Sequence, residues 1–421
     1  MKFLCAPRGF NTDGLPASQR VVLFDTGKKG REVHAGASIA QIVKRRGMTV
    51  DPMSWDFLAI ALSAYAADST ELRAGAPDGW TRNFELTIAV QHPEVWNAVA
   101  GEVSKALEFL STDRWSFKFI AGGMAPPSPR KPREIELDAA VLLSGGLDSL
   151  VGALDLAKSG KALLAVSKLV RGDAERQVRY ANRTCKEHVA FNDSTRTLRR
   201  AESSQRTRSL VFIAFGVLSA TSLARYRRGQ GASLFLCENG FIAINPPLTG
   251  SRLGSLSTRT AHPVFLNGLS RVLARSGISV EIINPYRHQT KGEMLVNCLD
   301  QPALIELAAS STSCGRFQKF KYRHCGRCIP CQVRRASILA WGGTADSTDY
   351  VYKDLSIPNS NHAGFDDVRA VGIAVQDASV DLGSWVGNAL GAPNLPDRTQ
   401  LREMLQRGIT ELSRLHVSLG I

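Results

Sequence analysis

Apolar positions over the first 120 residues recur in two different periods. Val21 to Asp25 and Phe84 to Gln91 have the short or alternating runs of strands, whereas Trp55 to Ala67 and Pro93 to Leu110 repeat at helical spacing. This pattern predicts a small α+β domain over residues 1–120, without a recognisable catalytic motif. Periodicity then stops. Pro126, Pro127, Pro129 and Pro132 are interleaved with Arg130, Lys131 and Arg133, which predicts a linker over 121–136.

From 137 to 350 the pattern becomes strand and helix in alternation. Ala139 to Leu143, Ala162 to Val166, Ser233 to Leu236 and Val280 to Ile283 read as strands; Ser149 to Lys158 and Ser209 to Ala224 read as helices. Short apolar strands separated by helices predict an α/β domain, a parallel sheet with helices on both faces. Residues 351–421 predict a tail made of a Gly- and Asn-containing connection and a helix from about Arg398 to Leu415.

The longest apolar run, Ser209 to Ala224, carries Gly216, Ser219, Thr221 and Ser222 and falls short of the roughly 18 apolar residues of a membrane span. It reads as a buried core helix. Met1 to Arg8 contains no apolar targeting core, so the expected location is cytoplasmic, with no membrane partner.

Charge adds a second theme. The chain of 421 residues carries 52 Lys and Arg against 38 Asp and Glu, a net +14. Lys168 to Arg228 holds 14 basic and five acidic residues, a net +9. Such a segment attracts polyanions. Nucleic acid is one of these, but the segment lacks the interleaved aromatics of a base-stacking surface and a solvated Arg-rich face is favoured over it.

Two clusters carry candidate chemistry. Ser144-Gly145-Gly146-Leu147-Asp148-Ser149 sits between the first strand of the α/β domain and a helix. Its glycines permit a tight turn that presents backbone N–H groups and a helix N-terminus to a phosphate. Ser144 and Ser149 supply hydroxyls, and Asp148 can hold Mg2+ or order the loop. The second cluster is Cys314-x10-Cys325-x2-Cys328-x2-Cys331, four thiols spaced for a closed structural Zn2+ site, with an iron–sulfur cluster as the alternative. Cys5, Cys185, Cys237 and Cys298 stand singly and read as small buried hydrophobes.

These two clusters carry a family resemblance. Ser144 to Ser149 resembles the pyrophosphate-binding loop of the N-type ATP pyrophosphatases, whose fold is adenine nucleotide α-hydrolase-like. The cysteine spacing, followed by Arg334 and Arg335, is similar to the zinc site of 7-cyano-7-deazaguanine synthases of the QueC type. Arg206 to Ser209, Cys237 to Gly240 and Thr290 to Glu293 are similar to further elements of that family, in its order, over about Leu137 to Trp341. The departures are Ser167 to Gly172, Asn245-Pro246-Pro247, Ser257 to Pro263, and the added residues at both ends. Enlarged QueC-like proteins of this kind resemble the QueC-like component of bacterial Qat anti-phage defence systems.

The resemblance implies an ATP-dependent ligase that adenylates a carboxylate, 7-carboxy-7-deazaguanine above all, releases pyrophosphate, and passes the acyl group to an amine. Ammonia would give the conventional nitrile; the added domains imply instead an amine on a partner protein of the same defence system. ATP is expected at Ser144, Gly145, Gly146, Leu147, Asp148, Ser149 and Arg208, with Mg2+. Asp148, Ser144 and Lys291 are the catalytic candidates, and Glu238, Asn239, Arg259 and His262 would face the deazaguanine. Zn2+ would be held by Cys314, Cys325, Cys328 and Cys331. The alternatives are a non-catalytic ATP-binding scaffold and tRNA thiolation, which needs a nucleophilic Cys185 or Cys237.

Overall fold

The computed structural model describes residues 1–26, 32–198, 201–248, 259–342, 346–356 and 367–420. Two five-stranded sheets organise the molecule. β1 (Lys2–Pro7), β2 (Gln19–Leu23), β3 (Val33–Ala35), β4 (Asn83–Val90) and β5 (Arg114–Ala121) lie in the order β3-β2-β1-β4-β5, every pairing parallel. β6 (Ala139–Leu142), β7 (Leu163–Lys168), β8 (Glu187–Phe191), β9 (Ala232–Phe235) and β10 (Val280–Ile283) lie in the order β10-β9-β6-β7-β8, again all parallel. Counted from its own first strand, each sheet runs 3-2-1-4-5.

The expected α+β character of residues 1–120 is therefore corrected: this half is α/β with a parallel sheet. β1 and β5 escape the periodicity reading for opposite reasons. Phe3 to Ala6 is buried on both faces and so does not alternate, whereas β5 does alternate, Trp115 and Phe119 in and Arg114, Ser116 and Lys118 out, but runs straight into the proline-rich stretch. The helix expected from Pro93 to Leu110 is two helices, Pro93–Ala98 and Ala100–Ser111, meeting at Val99 with φ −114° and ψ 9°.

Two helices join the sheets. Pro52–Thr70 and Arg208–Thr221 are apolar around nearly their whole circumference, the mark of a helix with no solvent face. Their Ser54 and Thr221 hydroxyls meet at 2.9 Å, and one apolar core runs from Phe3, Val21 and Trp96 through Leu58 and Phe215 to Leu142 and Leu234. Ala121 of the expected linker ends β5, and residues 122–136 contain no helix or strand, but Ile135 is buried and makes an isolated bridge to Leu223.

The other face of the second sheet is covered by helices Leu147–Lys158, Gln301–Ala308 and Ile329–Trp341; β6 feeds both cores by alternation, Ala140 and Leu142 to one side and Ala139 and Val141 to the other. The tail supplies helices Asp367–Val380, Leu382–Leu390 and Arg398–Ser418, which pack on Phe241, Ile329 and Val333. Among the described residues no helix is long and apolar enough to cross a membrane.

Candidate functional site

In a sheet wound 3-2-1-4-5, the connections leaving the first and fourth strands depart to opposite faces and open a crevice at the strands' carboxyl ends. In the second sheet that crevice lies between β6 and β9. The segment after β6 is Leu143 to Gly146, and helix Leu147–Lys158 begins immediately, so its N-terminus faces the crevice. Gly145 turns the chain at φ 89°, a left-handed conformation that glycine adopts without strain. A Cβ on Gly146 would stand 3.2 Å from Ser144 Oγ and 3.3 Å from the Thr312 carbonyl, which leaves a tight backbone cradle there.

The loop is laced by its own serines. Ser144 Oγ lies 3.1 Å from Ser149 Oγ, Ser149 Oγ donates to the Gly146 carbonyl at 3.0 Å, and the Gly146 N–H donates to Ser144 Oγ at 3.2 Å. Neighbouring elements hold it from outside. Gln177 Nε2 donates to the Ser144 and Lys168 carbonyls, and the Thr312 N–H donates to the Gly145 carbonyl at 3.0 Å.

Below the loop lies a buried charged cluster. Asp148, in the first turn of the helix, accepts from Lys291 Nζ on one oxygen and from Asn239 Nδ2 at 2.7 Å and the Asn239 N–H at 3.3 Å on the other. Asn239 caps helix Gly240–Ile244 with its side-chain Oδ1, which accepts from the Ile242 N–H at 2.9 Å, while Thr290 and Glu293 form a capping box that starts helix Lys291–Val296. Burial opposes charge on Asp148, but Lys291 outweighs it and holds the carboxyl below its ordinary range. Beside it, burial first and then the Asp148 charge push Glu238 well above the usual carboxylate range. The pair is thus a carboxylate next to a carboxylic acid. With both oxygens of Asp148 engaged, the residues present do not form a standing Mg2+ site; magnesium would arrive with the phosphates of a nucleotide.

Two clefts open on either side of the loop and share Ser144, Gly146 and Thr312. The first, about 240 Å³, is lined by Asp148, Glu238 and Lys291. The second, about 430 Å³, is lined by Lys168, Gln205, Arg206, Arg208 and Thr260. The structure therefore brings Ser144, Gly145, Gly146, Leu147, Asp148, Ser149, Lys291, Glu238 and Asn239 together, with Arg208 across the loop. Arg259 and His262 go elsewhere. Arg259 Nη1 donates to the Phe109 carbonyl at 3.1 Å and its guanidinium lies 4.7 Å from the Phe109 ring centre. His262 packs on the same ring and caps helix Pro263–Arg275; burial pushes it down to about 3, so it is a neutral structural group. Residues 257 and 258 of that stretch lie outside the described residues.

Sequence patterning missed Gln177, Gln205, Thr312 and Ser313, which sit in no motif. Lys168 and Arg206 belong to the basic segment; Arg206 was marked only by the resemblance of Arg206 to Ser209, and nothing marks Lys168 among the 14 basic residues. Several others are paired away: Arg228 with Glu134 and Glu136, Arg179 with Glu306, Arg183 with Asp300. Burial raises the Cys237 thiol and raises Cys185 to about 11, which disfavours a thiolate nucleophile at either.

The four-cysteine cluster stands beside the first cleft. All four sulfurs lie within 4.8 Å of one another and all four residues are buried. Cys314 to Cys328 and Cys325 to Cys331 are each 3.9 Å, close to the about 3.8 Å between sulfurs of a tetrahedral site with Zn–S near 2.3 Å. The N–H groups of Arg316 and Cys325 donate to Cys314 Sγ and that of Cys328 to Cys325 Sγ, as suits thiolate ligands. The donor set fits a metal such as zinc. It also has a mechanical role: Cys328 begins the helix Ile329–Trp341, whose buried Arg334 donates to Ser311 Oγ and the Ala308 carbonyl, and His324 Nε2 accepts from the Ser313 N–H. The strip that carries Thr312 to the loop is anchored at both sides. Set against known proteins, the chain matches no family model, no curated protein and no solved structure, and the case for a function rests on these side chains.

Proposed function

We propose that this chain is an ATP-dependent ligase that activates a carboxylate by adenylation and transfers the acyl group to an amine. The observation that carries this reading is the serine-laced glycine loop at the crevice of the second sheet, with the buried Asp148–Lys291 pair beneath it and a cleft on each side. Two adjoining clefts suit a reaction between two ligands that meet at one phosphate-binding loop. The resemblance to 7-cyano-7-deazaguanine synthases supplies the substrate, 7-carboxy-7-deazaguanine.

In the proposed reaction a carboxylate oxygen of the base attacks the α-phosphorus of ATP, and the bond from that phosphorus to the β-phosphate oxygen breaks. Pyrophosphate leaves against the Ser144–Ser149 loop, where the helix N-terminus and N–H groups take up its charge. The amine then attacks the acyl carbon, AMP departs, and the amine loses a proton. Glu238, whose acid proton is shared with Asp148, offers its other oxygen as an acceptor to a purine-like edge, while Lys291 is kept oriented by Asp148. The cysteine cluster, with Zn2+ bound, would brace Thr312 and take no part in the chemistry. The acceptor in this reading is an amine on a partner protein of an anti-phage system, which the added residues 1–120 and 351–421 suit better than ammonia does.

The test is product analysis with ATP and 7-carboxy-7-deazaguanine. AMP and pyrophosphate in equal amounts are expected, with loss of both in Asp148→Asn. Formation of ADP and phosphate, or no consumption of ATP with either ammonia or candidate partners present, would overturn the reading.

A further inference from the structure

The second cleft is walled by residues of the second sheet, yet their positions are set from the first. Asp68 is fully buried near the end of helix Pro52–Thr70. One of its oxygens accepts from Arg82 Nη2 at 2.6 Å. The other accepts from the Arg206 N–H at 2.7 Å, the Thr207 N–H at 2.8 Å and Thr207 Oγ1 at 2.8 Å. Thr207 stands at the cap position of helix Arg208–Thr221 but makes no cap bond of its own. Asp68 takes that role from another part of the fold, placing a carboxylate at the positive end of a long buried helix.

A buried network fixes Asp68 in turn. Arg82 and Arg73 both bond Asp113, and Glu202 reaches back to accept from the Arg73 N–H at 2.9 Å. The segment from Glu202 to Thr207 is thus fastened at both ends to the N-terminal half. Tyr65, one turn before Asp68, donates to Gln205 Oε1 at 3.0 Å, and its ring centre lies 4.6 Å from Lys168 Nζ. Arg206 lines the cleft. Its residue is 8% exposed, and its buried Nη1 has no hydrogen-bond partner among the described residues. Lys168 is paired with Asp193 at 2.7 Å, Arg206 Nε donates to Ser204 Oγ at 2.9 Å, and Asp173, which also lines the cleft, accepts from Thr312 Oγ1. Arg206 Nη1 is the buried cationic donor of this wall left short of an acceptor, and with the neighbouring Arg208 it suits an anionic ligand.

We propose that Asp68 is a positioning residue that holds Arg206 and Arg208 against the phosphates of a nucleotide seated on the Ser144–Ser149 loop, so that the N-terminal sheet completes the anion-binding wall. The proposal rests on reading that loop as a phosphate site. Asp68 never meets the ligand; it acts through the backbone of Arg206 and Thr207.

The experiment uses the full chain and two probes, ATP and inorganic pyrophosphate, measured by titration calorimetry beside the rate of pyrophosphate release. Asp68→Asn, close in shape but unable to match the charge, should weaken both probes about tenfold, the value of one lost charge-assisted hydrogen bond, and raise KM for ATP more than it lowers kcat. Asp68→Glu should recover part of the affinity. A core variant of the first sheet, Leu86→Ala, chosen to lose comparable thermal stability, should keep wild-type affinity. Equal affinity in Asp68→Asn and wild type, or an equal loss in Leu86→Ala, would overturn the positioning role and leave the loop assignment intact. Failure of wild-type protein to bind either probe would overturn the loop assignment and this proposal together.

Discussion

The two sheets share one winding order and differ in what occupies the crevice between the first and fourth strands. Each has a buried carboxylate, carried on a helix, that reaches the end of the fourth strand. In the first sheet Asp56 accepts from the Gln91 and His92 N–H groups, His92 Nδ1 and Trp96 Nε1; in the second Asp148 accepts from Asn239 and Lys291. The first carboxylate is saturated by backbone and ring donors, and aromatic packing, Phe24 on Trp55 and Phe57 on Trp96, closes around it. The second is paired with a cation at the floor of a cleft. The first strands differ too. β1 is followed by turns at Gly9 and Gly14 and no helix before β2, whereas β6 is followed within a few residues by a helix N-terminus. Winding order supplies a location; a helix end, a cation and open volume make that location a site.

The largest effect that would sharpen this contrast is removal of the cysteine cluster, since structural zinc of this kind contributes on the order of 10 kcal/mol. Cys328→Ser should lose bound zinc and thermal stability. Hydrogen exchange should quicken at Thr312, Ser313 and Gly145 while the amides of β1 and β4 stay protected; uniform loss of protection in both sheets would show that the cluster braces the whole molecule.

Next comes the pair itself. Lys291→Met leaves Asp148 buried without its cation and should cost about 3–5 kcal/mol together with all pyrophosphate release. Asp56→Asn should cost about 1–3 kcal/mol and leave turnover of the folded protein unchanged. Equal loss of turnover in the two variants would break the comparison.

A smaller difference separates two glycines. Gly9, in the loop after β1, has φ 84° and open space around its Cβ position, so Gly9→Ala should cost about 1–2 kcal/mol of backbone strain and no activity. Gly146→Ala puts a methyl group against Ser144 and Thr312 and should lower pyrophosphate release at any given stability. Denaturation curves beside turnover separate the two.

The smallest effect concerns the tail. Glu411, on helix Arg398–Ser418, accepts from Thr290 Oγ1 and the Gly292 N–H at either side of Lys291; burial raises it to about 7. Because the folded chain binds this proton more tightly than the unfolded chain, between the ordinary carboxylate range and about 7 the group makes stability fall as pH rises. Glu411→Gln should flatten that slope in thermal melts from pH 5 to pH 8. An unchanged slope would remove Glu411 from the linkage.

Local rules account for much of the second half. Short apolar strands between helices indicated its parallel sheet, and the tight turn at Ser144 to Ser149 before a helix and the cluster of Cys314, Cys325, Cys328 and Cys331 were readable because each is encoded within one short segment of the chain. Lys291 was marked only by resemblance. The same local reasoning failed for β1, whose residues are buried on both faces and lose their alternation, and with the central strand unread the parallel character of the N-terminal half went unread too.

What the sequence by itself determined is which groups are available: a glycine turn flanked by serines at a helix start, four thiols at metal spacing, and an excess of basic residues. Tertiary structure alone decided which of them act together. It took Arg259 and His262 to Phe109 and left them structural, brought Thr312 beneath Gly145, paired Lys291 with Asp148 across 143 positions, and placed Asp68 at the head of a helix that begins 140 residues later. The reason is physical. A buried charge is tolerated only where partners converge on it from several directions, and in a chain wound through two sheets those partners come from distant elements that no local pattern connects.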